Sequence, residues 1–147
     1  MFKHILVPTD GSTLSSDTAL RAVDFAKAIG AKVTFFYAQP DYPAQCFGEG
    51  ALIDPTTPQQ FAKAAEAAAT EILQKCEGMA RQGGVEYGTA TEPSEVPYEA
   101  IIDVAKKHAC DMIFMASHGR RGLTGLLLGS ETQKVLTHSK IPVLVYR

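Results

Sequence analysis

The chain contains no tryptophan, only three cysteines and no long apolar run. Nothing in it approaches the ~18 consecutive apolar residues that a membrane-crossing helix needs, so membrane insertion is not expected. The apolar stretch Ile5-Leu6-Val7 is cut short by Pro8 and Asp10 and does not read as a secretory core. Cys46, Cys76 and Cys110 are far apart and odd in number, with no C-x-x-C or Cys/His spacing. Neither a disulfide framework nor a zinc site is supported, and reduced thiols in a cytoplasmic protein are expected. Two familiar phosphate loops are also missing. There is no GxxxxGK[ST] for a Walker-type NTPase, and no GxGxxG opens a helix after a strand.

What is present suits one globular domain spanning 1–147. Hydrophobic residues make up 46% of the 147 positions and charged ones 20%, which excludes low-complexity disorder. A chain of this size buries roughly 70% of its unfolded surface and needs no covalent staple. The net charge of −2 conceals an asymmetry. Residues 1–100 carry 7 basic and 13 acidic side chains, whereas 101–147 carry 7 basic and 3 acidic ones. An acidic total argues against nucleic-acid binding, which rests on phosphate neutralisation. The basic final third still suits a small anion.

Hydrophobic periodicity divides the chain. Lys3 to Thr9 reads as a buried strand, and Thr13 to Ile29 as a helix closed by Gly30. Ala31 to Ala38 is a second strand. Four prolines and two glycines across 39–58 predict a long loop, read as a flexible flap over whatever the domain binds. Gln59 to Gln82 follows as an alanine-rich helix ended by Gly83-Gly84. Val85 to Thr91 is a weaker strand, and Ser94 to His108 a helix with Pro97 in its first turn. Asp111 to Ala116 is a continuously apolar strand, Ser117 to Leu128 a glycine-rich loop, Ser130 to His138 a helix, and Ile141 to Tyr146 the last strand.

Strands alternating with crossover-length helices mean an α/β fold, a doubly wound parallel sheet with helices on both faces. The first and fourth strands are the most uniformly apolar, so they belong side by side at the centre, giving the order 3-2-1-4-5. The chain then winds outward both ways from that pair. The crevice at the strands' C-terminal ends is where such folds bind ligands, and the loops after Pro8 and Ala116 both open there.

The segment from Ala116 to Ser130 carries the chemistry. Four glycines between a strand and a helix leave backbone amides open to phosphate oxygens, and the helix start favours an anion. Arg120 and Arg121 add positive charge. Ser130-Glu131-Thr132-Gln133 also matches a capping box, which needs no ligand. Gly119-Arg120-Arg121-Gly122 has the form of the KH clamp on RNA, but the strand before it and the acidic total speak against that use. Asp10 has an equally local role available, an Asx turn leading into a Ser12 or Thr13 helix cap.

Taken together, Val7-Pro8-Thr9-Asp10-Gly11-Ser12, the long loop after the second strand, Met115-Ala116-Ser117-His118-Gly119, the later Gly129-Ser130 and the closing Ile141-Pro142-Val143-Leu144-Val145 resemble the universal stress protein family over essentially the whole chain. Its nucleotide-binding branch has a G-x-x-G-(nine residues)-G-[S/T] loop holding ATP phosphates. Gly119, Gly129 and Ser130 match that pattern, while Ala116 replaces its first glycine. The resemblance implies an adenine nucleotide, ATP or else AMP or ADP, with Mg or Mn accompanying it. Asp10 would lie near the ribose and the metal, Pro8 and Thr9 would shape the adenine pocket, and Ala38 would touch the base. Met115, Ala116, His118 and Gly119 would flank sugar and phosphates, with Gly129, Ser130, Glu131 and Thr132 at the helix start. A side chain at Gly129 is expected to abolish affinity and leave the fold intact. The family also implies a homodimer paired through Val143–Tyr146, whose low charge suits a partner strand.

The expected function is therefore a nucleotide-binding regulatory protein of the stress response, not an enzyme. Slow metal-dependent ATP hydrolysis at Asp10 is the catalytic alternative, and without a Walker lysine or a poised water-activating carboxylate its turnover should be poor. A stress-protein scaffold acting by dimerisation alone is the other alternative. A flavodoxin-like FMN carrier is disfavoured by the absence of tryptophan and by Asp10, and a phospho-receiver lacks its paired acids.

Overall fold

The computed structural model describes residues 1–42, 57–119 and 128–147. Strands and helices alternate: β1 His4–Pro8, α1 Thr13–Ile29, β2 Lys32–Gln39, α2 Pro58–Gly83, β3 Tyr87–Pro93, α3 Pro97–Lys107, β4 Met112–Ala116, α4 Ser130–His138 and β5 Val143–Tyr146. The five strands form one sheet in the order β3-β2-β1-β4-β5, every pairing parallel, as the apolar runs predicted.

Alternation along the central strands sorts two cores. Ile5, Val7, Val33, Phe35, Met112 and Phe114 point to one face, where α1 and α2 cover them. Leu6, Phe36, Ile113 and Met115 point to the other, under α3 and Val135 of α4. Ile5, Leu6 and Val7 are fully excluded from solvent, each such side chain contributing about 1.5–3 kcal/mol by burial. Burial on both faces explains why Ile5–Val7 of β1 and all of β4 lack polar positions.

Side chains set the boundaries. Ser12 caps α1, accepting from the Ser15 amide at 3.2 Å, and Gly30 ends the helix in the left-handed region at φ 68°. Helix α2 starts earlier than predicted because Thr57 and Gln60 form a reciprocal capping box around Pro58. Strand β2 runs on to Gln39, so helix and strand both encroach on the predicted 39–58 loop. Residues 43–56 of that loop, with Cys46, lie outside the described residues. Strand β3 is displaced to Tyr87–Pro93, where its register is set by pairing with Val33–Gln39 of β2. Helix α3 ends at Lys107, and Ala109 takes a left-handed φ of 52° just beyond it.

The start of β4 is fastened to the start of β1. Asp111 accepts from the amides of Lys3 and His4 through its two carboxylate oxygens, at 2.8 and 3.0 Å, and donates its own amide to His4 O at 2.9 Å. Cys76 and Cys110 are buried free thiols, which burial pushes up to about 11 and about 12 respectively, so both stay protonated at neutral pH. No helix of the described residues is long and apolar enough to cross a membrane.

Candidate functional site

The crevice at the switch point is bounded by the turn after β1 and the connection after β4. Past Pro8 the chain stays tied to the sheet, with Thr9 donating its amide to Phe36 O at 2.8 Å. The Thr9 hydroxyl is buried against Ser15 Oγ at 3.0 Å and also accepts from the Gly11 amide at 3.3 Å. Asp10 makes the expected Asx turn, its Oδ1 accepting from Ser12 N at 2.9 Å, and Gly11 supplies the positive φ of 77°. The turn and the Ser12 cap are both present, so Asp10 is oriented by its own segment. Its other oxygen, Oδ2, faces across the crevice to Gly119, where an added Cβ would run into it.

On the opposite bank, β4 ends at Ala116, and Ser117 is held to β5 by its amide bond to Tyr146 O at 2.8 Å. Ala116 is buried and has no positive φ, so the methyl that replaces the glycine of the family pattern sits in an unstrained strand end. His118 is half-buried, with Nδ1 3.1 Å from Ser117 Oγ. Gly119 is exposed. Residues 120–127, including Arg120, Arg121, Gly122 and Gly125, lie outside the described residues.

The start of α4 differs from the predicted capping box. Its N-cap is Gly129, and Ser130 is the first helical residue, with its side chain exposed. Gln133 turns away from a capping role and reaches Leu128 O at 3.4 Å. Glu131 is drawn to the neighbouring helix instead, where Oε2 accepts from the Tyr98 amide at 2.9 Å in the first turn of α3, while Oε1 meets Lys134 at 3.1 Å. Thr132 is buried and donates its hydroxyl to Ala116 O at 3.0 Å. Gly129 offers no side chain to its helix, so the first-turn amides of α4 have no side-chain cap among the described residues.

Gly129 is glycine for reasons of packing. Its amide donates to Ser117 O at 2.7 Å, and a Cβ there would stand 2.9 Å from His118 Cα. A side chain would therefore push on backbone, which corrects the expectation that Gly129 could be substituted with the fold left intact.

The predicted residues thus fall into groups. Asp10, His118, Gly119, Gly129 and Ser130 gather at the crevice. Pro8 and Thr9 form its β1 wall, and Ala38 lies half-buried at the end of β2. Met115 points into the core beneath, and Thr132 and Glu131 hold helices in place. Among the described residues no group of three or more His, Cys, Asp or Glu is arranged to hold a metal. Asp10 is the acid that the turn after β1 would offer a cation here.

The sequence profile described as the universal stress protein family matches residues 1–147. A universal stress protein of Methanocaldococcus jannaschii is 31% identical over 150 residues, covering 100% of this chain and 83% of that protein. One from Thermus aquaticus is likewise 31% identical, covering 100% of both chains. Among solved structures, universal stress protein UspA from Lactobacillus plantarum superposes with a TM-score of 0.80 at 26% identity, over 99% of this chain and 98% of that one. More distant structures of the same fold include a universal stress protein in complex with cAMP (24% identical, TM-score 0.72) and one from Archaeoglobus fulgidus in complex with dAMP (17%, 0.67).

Proposed function

The chain belongs to the universal stress protein family, and from that membership we propose that it binds an adenine nucleotide in the crevice between β1 and β4 and acts as a nucleotide-responsive regulatory protein of the stress response. The observation that carries this reading is the meeting of Asp10 with Gly119 across the crevice, beside the glycine-cornered start of α4, where Gly129 packs on His118. A carboxylate oriented by its own turn and a helix N-terminus with no side-chain cap follow the two adjacent central strands, at the sheet's switch point. The cAMP and dAMP complexes of distant relatives support the ligand class.

In this reading the amides of Ser130 and Glu131 and the Ser130 hydroxyl receive phosphate oxygens, while Asp10 serves the ribose side and any Mg or Mn carried in with the phosphates. The side chains of Thr132 and Glu131 position α4 and make no contact with the ligand. The hydroxyl–imidazole pair of the crevice, Ser117 Oγ with His118 Nδ1 at 3.1 Å, has its serine buried at the end of β4, and we read the role as binding, with ATP hydrolysis at most slow. The working unit is a homodimer paired through β5, a half-buried apolar strand bonded to β4 along one side.

The test is identification of the ligand. Protein purified without added nucleotide is heat-released and the supernatant analysed by mass spectrometry, then the emptied protein is titrated with AMP, ADP and ATP with and without Mg. One saturable site for an adenine nucleotide is expected. Absence of both a carried ligand and measurable binding would sink the reading.

A further inference from the structure

Away from the crevice, a cleft of about 440 Å³ opens between α2 and the β2–β3 side of the sheet. Glu66, Thr70, Leu73 and Glu77 line it from one face of α2, at the i, i+4, i+7, i+11 spacing of a helical stripe, and Gln39 and Thr91 line it from the strands. Its volume lies in the range of small-molecule sites.

The hydrogen-bonding sense of this cleft is fixed by its own walls. Thr91 donates its hydroxyl proton to Tyr37 O at 2.7 Å. At 3.1 Å from Gln39 Nε2 it must therefore accept, which sets the orientation of the glutamine amide. Gln39 is only 9% exposed, and its Oε1 accepts from no described residue. Thr70 likewise gives its proton away, to Glu66 O at 3.0 Å, and keeps lone pairs for the cleft. Two carboxylates add to these acceptors, and no lysine, arginine or histidine is among the described residues of the lining. Arg81 approaches Glu77 only to 3.9 Å. Leu73, buried in the core, supplies an apolar floor.

A wall of acceptors with negative charge at both ends calls for a ligand rich in N–H donors and positive charge, with an apolar stem. Glu66 and Glu77 are separated by about 16 Å of helix axis, too far to share one metal ion and suited to an elongated cation. We infer that this cleft binds a linear aliphatic polyamine of the triamine or tetramine class, its terminal ammonium groups on Glu66 and Glu77, an inner one on Gln39 Oε1, and its methylenes over Leu73.

Nucleotide-free protein titrated with spermidine tests this, followed by calorimetry and by amide NMR. One saturable site is expected, with shifts centred on the Gln39 side-chain amide and on Thr89 and Thr91. The double variant Glu66→Gln/Glu77→Gln, at one exposed and one half-buried carboxylate, should weaken spermidine binding by roughly tenfold or more and leave the AMP titration unchanged. Equal affinity in that variant, shifts spread over the acidic surface, or displacement of spermidine by Mg at matched ionic strength would each overturn the assignment. Failure of AMP to bind would leave this result untouched, so the two readings fall separately.

Discussion

The Asp10 carboxylate lies so close to the α-carbon of Gly119 that the smallest side chain at 119 would overlap Oδ2, although the other oxygen is held in place by the Ser12 amide. The two residues sit at opposite ends of the sequence and meet because β1 and β4 are neighbours. Asp10→Asn keeps an acceptor for Ser12, so the melting temperature should stay within about 2 °C of the parent. Its affinity for ATP with Mg should fall roughly tenfold, and its affinity without the metal should fall less. Gly119→Ala should weaken binding in both conditions by displacing the carboxylate. Calorimetric titrations of the two variants, with and without Mg, check this.

Gly129→Ala is expected to destabilise the protein by about 1–3 kcal/mol, because the new methyl meets His118 backbone and not a yielding side chain. Urea denaturation measures the loss. A parent-like midpoint would show that the start of α4 yields easily.

Thr132→Val removes the buried donor to Ala116 O and should cost about 1–2 kcal/mol, whereas Thr132→Ser keeps the bond and should cost less. Nucleotide affinity should drop with the valine variant even though Thr132 touches no ligand in the proposed site, since the helix start loses its anchor to β4. Equal nucleotide binding by the two variants would show that the anchor does not govern the site.

Stability should depend on His4. Its ring is buried in β1 with Nε2 2.8 Å from Thr34 Oγ1, and burial, aided by the charge of Lys32, lowers its pKa below the usual 6.5. The folded state therefore resists protonation more than the unfolded one. Its contribution is complete above 6.5 and is lost as pH falls from there through the lower folded value. Urea midpoints taken from about pH 7.5 to about pH 5 should decline, and His4→Gln should flatten that part of the curve.

The sheet order was readable because Ile5-Leu6-Val7 and Met112–Met115 have no polar position, and only a strand covered on both faces tolerates that. Ser12 and Gly30 marked the ends of α1 by local chemistry alone. Thr57-Pro58-Gln59-Gln60 carried the same kind of signal for α2, and it was the better capping box of the two in the chain. The one at Ser130 failed because Glu131 and Gln133 found partners, Tyr98 N and Leu128 O, that a local pattern does not contain. Thr132 and Gly129 were legible as residues of the site but not in their roles, which depend on how closely α4 packs on the end of β4. Gln39 gave no sign at all, since a lone glutamine ending a strand looks like any solvated edge residue.

The Asp111 fastening has a consequence for biosynthesis. Strand β1 leaves the ribosome first, but its second neighbour and the carboxylate that ties down Lys3 and His4 are among the later segments made. Until then the fully buried Ile5-Leu6-Val7 has one open edge, and the nascent protein must delay completing its centre. A chain stopped short of β4 should therefore be a substrate for chaperones and proteases, not a smaller working version of the domain.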